Sequence, residues 1–192
     1  MRSTVLTAAL TAALVGSAHA QEAGQPFFAA FKQFCIETNA APKAVQAAVL
    51  AAGGRPFRPW SGTTQPFPMM AASWTITLSG RELRVSSGVQ QAPDPGKPDT
   101  LSVSCAVESF QNEDSGLAAA RAWVGVPAQQ PSDGPMESYR FQQSEGNRTP
   151  SPTDDTSYGA ASDGGLIWQL TLMRSADGAQ AQLLHILGPA PR

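Results

Sequence analysis

The chain has 192 residues, and its formal net charge is −2 with only 15% charged residues. A nearly neutral chain without a block of like charges gives no electrostatic basis for binding nucleic acid. The length fits one domain that can bury a sizeable core.

The first twenty residues have the layout of a secretory signal peptide. A positive residue precedes an uncharged apolar run over residues 4–15, and Ala18 and Ala20 supply the small side chains of a cleavage site. An amphipathic helix is the alternative, but no polar face recurs at helical spacing. We predict that residues 1–20 are cleaved, and that residues 21–192 form a single domain in the periplasm or outside the cell. No membrane span is expected after cleavage.

Apolar residues at helical spacing predict helices in two parts of the chain. Phe27, Phe31 and Phe34 recur at i, i+4 and i+7, and the pattern resumes after a short break, so residues 26–53 are expected to form a helical hairpin. A middle helix is expected over residues 113–124.

Elsewhere the apolar pattern has a period of two, which is typical of strands. It predicts hairpins over residues 73–86 and 166–187, a strand over residues 101–107 and a short strand at residues 139–141. We therefore predict an α+β fold with an antiparallel sheet of five or six strands. The helical hairpin and the middle helix would cover one face of that sheet.

Three segments are rich in Pro, Gly or polar residues. Residues 88–100 and 144–165 are expected to be mobile loops. Residues 55–71 contain several prolines and are expected to form an extended crossover. This crossover carries Arg55, Arg58 and Trp60, an aromatic and basic group that we single out as a possible binding surface. The alternative role of Trp60 is to anchor the crossover on the domain.

The chain has two cysteines, Cys35 and Cys105, and each falls on a predicted core face, one in a helix and one in a strand. An oxidising compartment favours a disulfide between them. Closing a loop of this length restricts the unfolded chain by about 4 kcal/mol. Two buried free thiols and two ligands of a metal site are the alternatives, although a zinc site takes about four ligands.

Motifs of catalysis are few. His185 is the only histidine after cleavage, so a nucleophile–histidine–carboxylate arrangement would have to use it. It lies between apolar neighbours in a predicted strand, which favours a packed ring, and no G-x-S-x-G elbow is present. The acidic clusters lack the pattern of a calcium loop, and no glycine-rich phosphate loop occurs. We therefore predict neither a metal nor a cofactor and assign no catalytic residue.

The order of these features resembles a group of uncharacterised exported proteins of proteobacteria. The resemblance rests on the signal peptide, the helix with Phe31-x3-Cys35, the second helix ending at Gly53-Gly54, the strand around Cys105 and the helix ending at Trp123-Val124-Gly125. It implies an exported protein with paired cysteines and implies no activity.

These observations favour a non-catalytic binding or envelope-accessory protein, whose partner would be an envelope protein or a small ligand. Two alternatives stay open. One is a small periplasmic hydrolase that uses His185. The other is an inhibitor or immunity-type partner that presents a rigid loop near Trp60.

Overall fold

The structure is a computed structural model, and it describes residues 25–57, 70–92, 100–129, 134–151 and 167–189. The predicted signal peptide, together with Arg58 and Trp60 of the predicted binding surface, lies outside these ranges.

The described chain forms helices and strands in the following order: α1 (Pro26–Phe31) continued by a π-helical turn (Lys32–Ile36), α2 (Pro42–Ala51), β1 (Arg55–Phe57), β2 (Met70–Leu78), β3 (Arg81–Ala92), β4 (Thr100–Ser109), α3 (Asp114–Val124), β5 (Met136–Ser144), β6 (Asn147–Pro150), β7 (Ile167–Ser175) and β8 (Gly178–Pro189). The eight strands make one sheet in the order β1-β2-β3-β4-β8-β7-β5-β6, and each neighbouring pair is antiparallel. The predicted combination of helices with an antiparallel sheet is confirmed.

The predicted number of five or six strands is wrong, because the two edge strands have no alternating apolar pattern. β1 lies in the proline-rich crossover, and Pro56 is tolerated there because an edge strand can leave one side of its backbone unpaired. β6 lies within the predicted loop 144–165 and has only exposed or half-buried residues. The predicted loop 88–100 is also too long, because β3 continues to Ala92.

All three helices pack on the same face of the sheet, which we call the covered face. The helices contact β3, β4 and β8. Directly paired residues point to the same side of a sheet, so the register places Val85, Val107, Ala181 and Leu172 in one row on this face. Each member of the row is buried. This face contains the apolar core.

A disulfide joins the helices to the centre of the sheet. Cys35 in the π-helical turn is bonded to Cys105 in β4, with a Cα–Cα distance of 5.3 Å, and both residues are fully buried. This distance is within the usual range for a disulfide. The predicted disulfide is confirmed, which excludes the free-thiol and metal-ligand alternatives for this pair.

The middle helix is held between α1 and the sheet by aromatic contacts. The Trp123 ring meets the rings of Phe31 and Phe141 edge to face, with centroid distances of 6.2 and 6.0 Å. The helix ends at Val124 and is capped by Gly125, whose φ of 65° is a left-handed conformation that glycine adopts without a steric cost. Among the described residues, no helix is both long enough and apolar enough to cross a membrane.

Candidate ligand-binding groove

The face of the sheet opposite the helices, which we call the open face because none of the described helices packs on it, carries a row of long side chains. Arg84, Glu108, Gln180, Met173 and Met136 are direct neighbours across β3, β4, β8, β7 and β5. Each of them is one residue away from the core-facing side chain of its own strand, so the alternation of strand side chains turns it away from the helices. We call this set the groove row.

The methionine end of the groove row forms part of the wall of a groove of about 810 Å³. The groove is built from the ends of β4, β5, β7 and β8 and from the turn between β7 and β8. Two of its apolar lining residues are strongly exposed, since Phe110 retains 52% and Met136 retains 48% of their accessible surface. A volume of this size is in the range of about 300–1,000 Å³ that is typical of small-molecule sites.

Arg84 positions Phe110 at the rim of this groove. Its guanidinium carbon lies 4.9 Å from the ring centroid of Phe110 and 4.1 Å from that of Phe57. Its Nη1 donates a hydrogen bond of 3.0 Å to Oε2 of Glu108. A cation between two aromatic faces is attracted to both rings. The arginine therefore fixes the phenyl ring and also neutralises the neighbouring carboxylate of the groove row.

A buried carboxylate holds the segment that carries Phe110. Oε1 of Glu113 accepts hydrogen bonds from Nη1 of Arg81 at 2.7 Å and from Oγ of Ser109 at 2.9 Å. Glu113 and Ser109 are both buried, and they bracket the connection between β4 and α3. Because a buried charge is stable only when it is paired and hydrogen-bonded, this network fixes both ends of the connection.

Gly178 lines the groove at a position that has no space for a side chain. A Cβ atom placed there would lie 2.3 Å from the backbone oxygen of Ser109 and 3.3 Å from Cα of Phe110. The β7–β8 turn can therefore approach the backbone of β4 closely.

A second, smaller cavity of about 330 Å³ adjoins the groove on the side of α3, and we call it the side pocket. Its polar wall contains Arg121 and Glu137, joined by two hydrogen bonds of 2.6 Å from Nε and Nη2 to the two carboxylate oxygens. The Tyr139 hydroxyl donates to Glu137 at 2.6 Å. Burial, reinforced by this carboxylate, raises the pKa of Tyr139 to about 12. The hydrogen bonds from Arg121 to Glu137 raise the pKa of the guanidinium.

Of the three residues predicted as a binding surface, the structure describes only Arg55. Arg55 is exposed and pairs with Thr75, which pairs with Arg84. Arg55 therefore lies on the open face, where Thr75 and Arg55 extend the groove row from Arg84 across β2 to β1. Arg58 and Trp60 fall outside the described residues, so the predicted group of three stays a prediction.

His185 lies on the covered face, in the row that also contains Val103 and Trp168. Its ring is stacked on the Trp168 ring, with a centroid distance of 3.9 Å and an interplanar angle of 9°. Burial lowers the pKa of the ring, and Nε2 has no hydrogen-bond partner within the described residues. In that part of the chain, no hydrogen bond joins His185 to a serine hydroxyl or a carboxylate.

The apolar residues of the groove were missed by the sequence analysis. Met136 precedes the only segment of β5 that was predicted as a strand, and Phe110 follows the last alternating residue of β4. Met173 is an apolar residue at a place in β7 where the alternation predicts a polar side chain. This exception is the one signal in the sequence that points to the groove. The described ranges contain no group of three or more His, Cys, Asp and Glu residues that could hold a metal ion.

Comparisons with known proteins gave no match. No protein-family model, curated protein or solved structure matches the chain. The resemblance to exported proteins of proteobacteria therefore stays a prediction, and the function has to be argued from the groove itself.

Proposed function

We propose that this protein is an exported, non-catalytic binding domain that holds the apolar part of a small ligand in the groove. The observation that carries the proposal is the change in chemistry along the groove row. The row is charged or polar from Arg84 to Gln180, and it becomes apolar at Met173 and Met136. The groove is lined by both methionines together with Glu108 and Gln180.

The distribution of exposed apolar side chains supports this proposal. Four large apolar residues of the described chain are exposed, namely Leu50, Phe110, Met136 and Leu187, and two of them line this one groove. Isolated exposed apolar residues are ordinary, whereas grouped ones around a cavity are typical of interaction sites. Methionine is flexible and polarisable, so a wall with two methionines can adapt to different apolar groups.

The surroundings of the groove suit binding without a reaction. Two of the charged residues that line the groove are engaged in ion pairs, Glu108 with Arg84 and Arg174 with Asp114. The hydrolase alternative would need a nucleophile close to His185, and this ring is stacked against Trp168 on the covered face. The inhibitor alternative depends on Trp60 and stays a prediction. The disulfide is compatible with an oxidising compartment outside the cytoplasm.

The experiment that tests the proposal uses Nile red, a neutral dye that becomes fluorescent in apolar surroundings. We expect the wild-type protein to bind the dye and the variant Met136→Glu to lose this binding, because a carboxylate in the apolar wall would have to be desolvated. Leu50→Glu is the matched control, since Leu50 is 46% exposed and lies on α2, outside the groove.

Equal binding by the wild type and by Met136→Glu would show that the groove is not the site. An absence of dye binding to the wild type would contradict the proposal itself. Circular dichroism of each variant checks that the fold is retained.

A further inference from the structure

We infer that the ligand of the groove is a neutral alkyl glycoside. Its sugar hydroxyls bind at Glu108 and Gln180. Its alkyl chain lies along Met173 and Met136. This inference rests on the proposed function, and it names the chemical class of the ligand and the direction in which the ligand lies.

The first argument is the order of side chains along the groove row. Glu108 in β4 is paired with Gln180 in β8. Gln180 is paired in turn with Met173, and Met173 with Met136. Directly opposite side chains on neighbouring strands have Cβ atoms about 5 Å apart. Two adjacent hydrogen-bonding groups therefore stand at one end of the groove, and the methionines continue from them across two strand spacings, which is about 10 Å. A compact polar head followed by an alkyl chain of medium length matches this order.

The second argument is that the charges that line the groove are already compensated. Glu108 is paired with Arg84 at 3.0 Å. Arg174 is paired with Asp114, and the register places Arg174 opposite Ala179, on the covered face of the sheet. The third charged lining residue, Asp177, is exposed in the β7–β8 turn, where water and salt screen its charge. Because no lining charge needs a counterion from the ligand, the groove favours a neutral head over a charged one.

The third argument is the hydrogen-bonding capacity that remains at the polar end. Oε2 of Glu108 accepts a hydrogen bond from Arg84. Within the described residues, neither Oε1 of Glu108 nor the side-chain amide of Gln180 takes part in a hydrogen bond. A carboxylate oxygen accepts hydrogen bonds, and an amide both accepts and donates them. Neighbouring hydroxyls of a sugar can satisfy both side chains at once, whereas a plain alkyl chain would remove water from them without replacing it.

The fourth argument is the aromatic ring beside these two side chains. Phe110 lines the groove together with Glu108 and Gln180, and 52% of its surface is exposed. Arg84 holds the ring with its guanidinium carbon 4.9 Å from the centroid. The face of an aromatic ring carries negative charge density, so it attracts the C–H groups on the apolar side of a sugar ring. The polar end thus offers both hydrogen bonds and a packing surface to a sugar.

The experiment compares four probes with the same alkyl chain: decyl glucoside, decanol, decanoate and decyltrimethylammonium. Each probe displaces Nile red from the full chain below its micelle concentration. We expect decyl glucoside to displace the dye at about tenfold lower concentration than either charged probe, because a charged head has to be desolvated without gaining a counterion.

The variant Gln180→Met tests the position of the sugar. It should raise the concentration of decyl glucoside needed for displacement about fivefold, because one neutral hydrogen-bonding partner is lost. Displacement by decanol and binding of Nile red should stay unchanged. Gln182→Met is the matched control, since Gln182 is the next open-face residue of β8 and does not line the groove. It should leave displacement by all four probes unchanged.

The results separate this inference from the proposed function. If Nile red binds but a charged probe displaces it as well as decyl glucoside does, the ligand is not a neutral glycoside, and the proposed function stands. The same conclusion follows if Gln180→Met leaves displacement by decyl glucoside unchanged, or weakens displacement by decanol equally. If the wild-type protein binds no dye, the proposed function fails, and this inference fails with it. Circular dichroism checks that both variants are folded.

Discussion

The covered face and the open face of the sheet differ sharply, although a single residue along each strand separates them. Val85, Val107, Ala181 and Leu172 form a buried row beneath the helices, and Arg84, Glu108, Gln180 and Met173 form the adjacent row on the other side. The covered row contributes apolar burial to the core, whereas the open row ends in a groove with exposed apolar side chains.

This difference implies a division of roles between two sets of residues in the same strands. Substitutions of residues on the covered face should lower the free energy of unfolding, because they disturb packing or the disulfide. Substitutions in the groove should change binding and leave stability almost unaltered, because their side chains are already in contact with water. The predictions below test this separation.

The largest effect is expected from removal of the disulfide on the covered face. The double variant Cys35→Ala, Cys105→Ala should lower the free energy of unfolding by about 4 kcal/mol, because the unfolded chain regains the conformational freedom of the closed loop. Urea unfolding of both proteins under oxidising conditions measures the difference. A loss of less than about 1 kcal/mol would contradict the role that we assign to this bond.

A smaller loss is expected from Gly116→Ala, at the contact between α3 and α1. A Cβ atom at position 116 would lie 2.7 Å from Cδ1 of Phe27, which is fully buried. Alanine gains about 1 kcal/mol of helix propensity over glycine, but overpacking of a core costs about 1–3 kcal/mol. We therefore expect a net loss of about 1 kcal/mol in thermal or urea unfolding.

The control for this variant is Ala118→Gly at an exposed position of the same helix. It should lose about 1 kcal/mol through propensity alone. If Gly116→Ala instead stabilises the protein, the close packing of α1 on α3 is not as described.

A further effect on the covered face concerns pH and His185. Burial lowers the pKa of this ring, so the unfolded chain binds a proton at a higher pH than the folded chain does. The stability that depends on the neutral ring is thus complete above the ordinary pKa of about 6.5, and it decreases as the pH falls from that value through the lowered pKa of the folded protein. We expect urea midpoints of the wild type to decrease over this range, and His185→Gln to reduce the decrease. An unchanged profile in the variant would show that other groups cause it.

The smallest effect on stability is expected in the groove. Met136→Glu should change the free energy of unfolding by no more than about 0.5 kcal/mol, because the side chain is already exposed. The same variant is expected to lose Nile red binding. Parallel loss of stability and binding would mean that the methionine supports the fold, and the separation between the two faces would not hold.

Much of the covered face could be predicted from the sequence, because burial imposes a period on it. The phenylalanines of α1 and the alternating residues of β4 were visible as patterns of apolar residues. The pairing of Cys35 with Cys105 followed from the presence of two cysteines on predicted core faces in an oxidising compartment. The edge strands β1 and β6 were missed because they bury too little to need such a pattern.

The groove could not be predicted for a different reason. Its walls come from three stretches that are distant in sequence, residues 108–110, 134–136 and 173–180, and they meet only through the register of the sheet. The sequence shows no local motif around Phe110 or Met173, since Phe110 is one apolar residue among polar neighbours and Met173 directly follows the core residue Leu172. Arg55, which was singled out from a local pattern, lies on the same face but not in the groove.

The most direct test of the groove is the methyl NMR spectrum of methionine-labelled protein titrated with Nile red. The chain has five methionines, and Met136 and Met173 line the groove. Met69 and Met70 belong to the segment 55–71, which also carries Arg58 and Trp60. Our account predicts that the methyl signals of Met136 and Met173 shift together as the dye binds. Shifts confined to Met69 and Met70 would place the binding site elsewhere and contradict it.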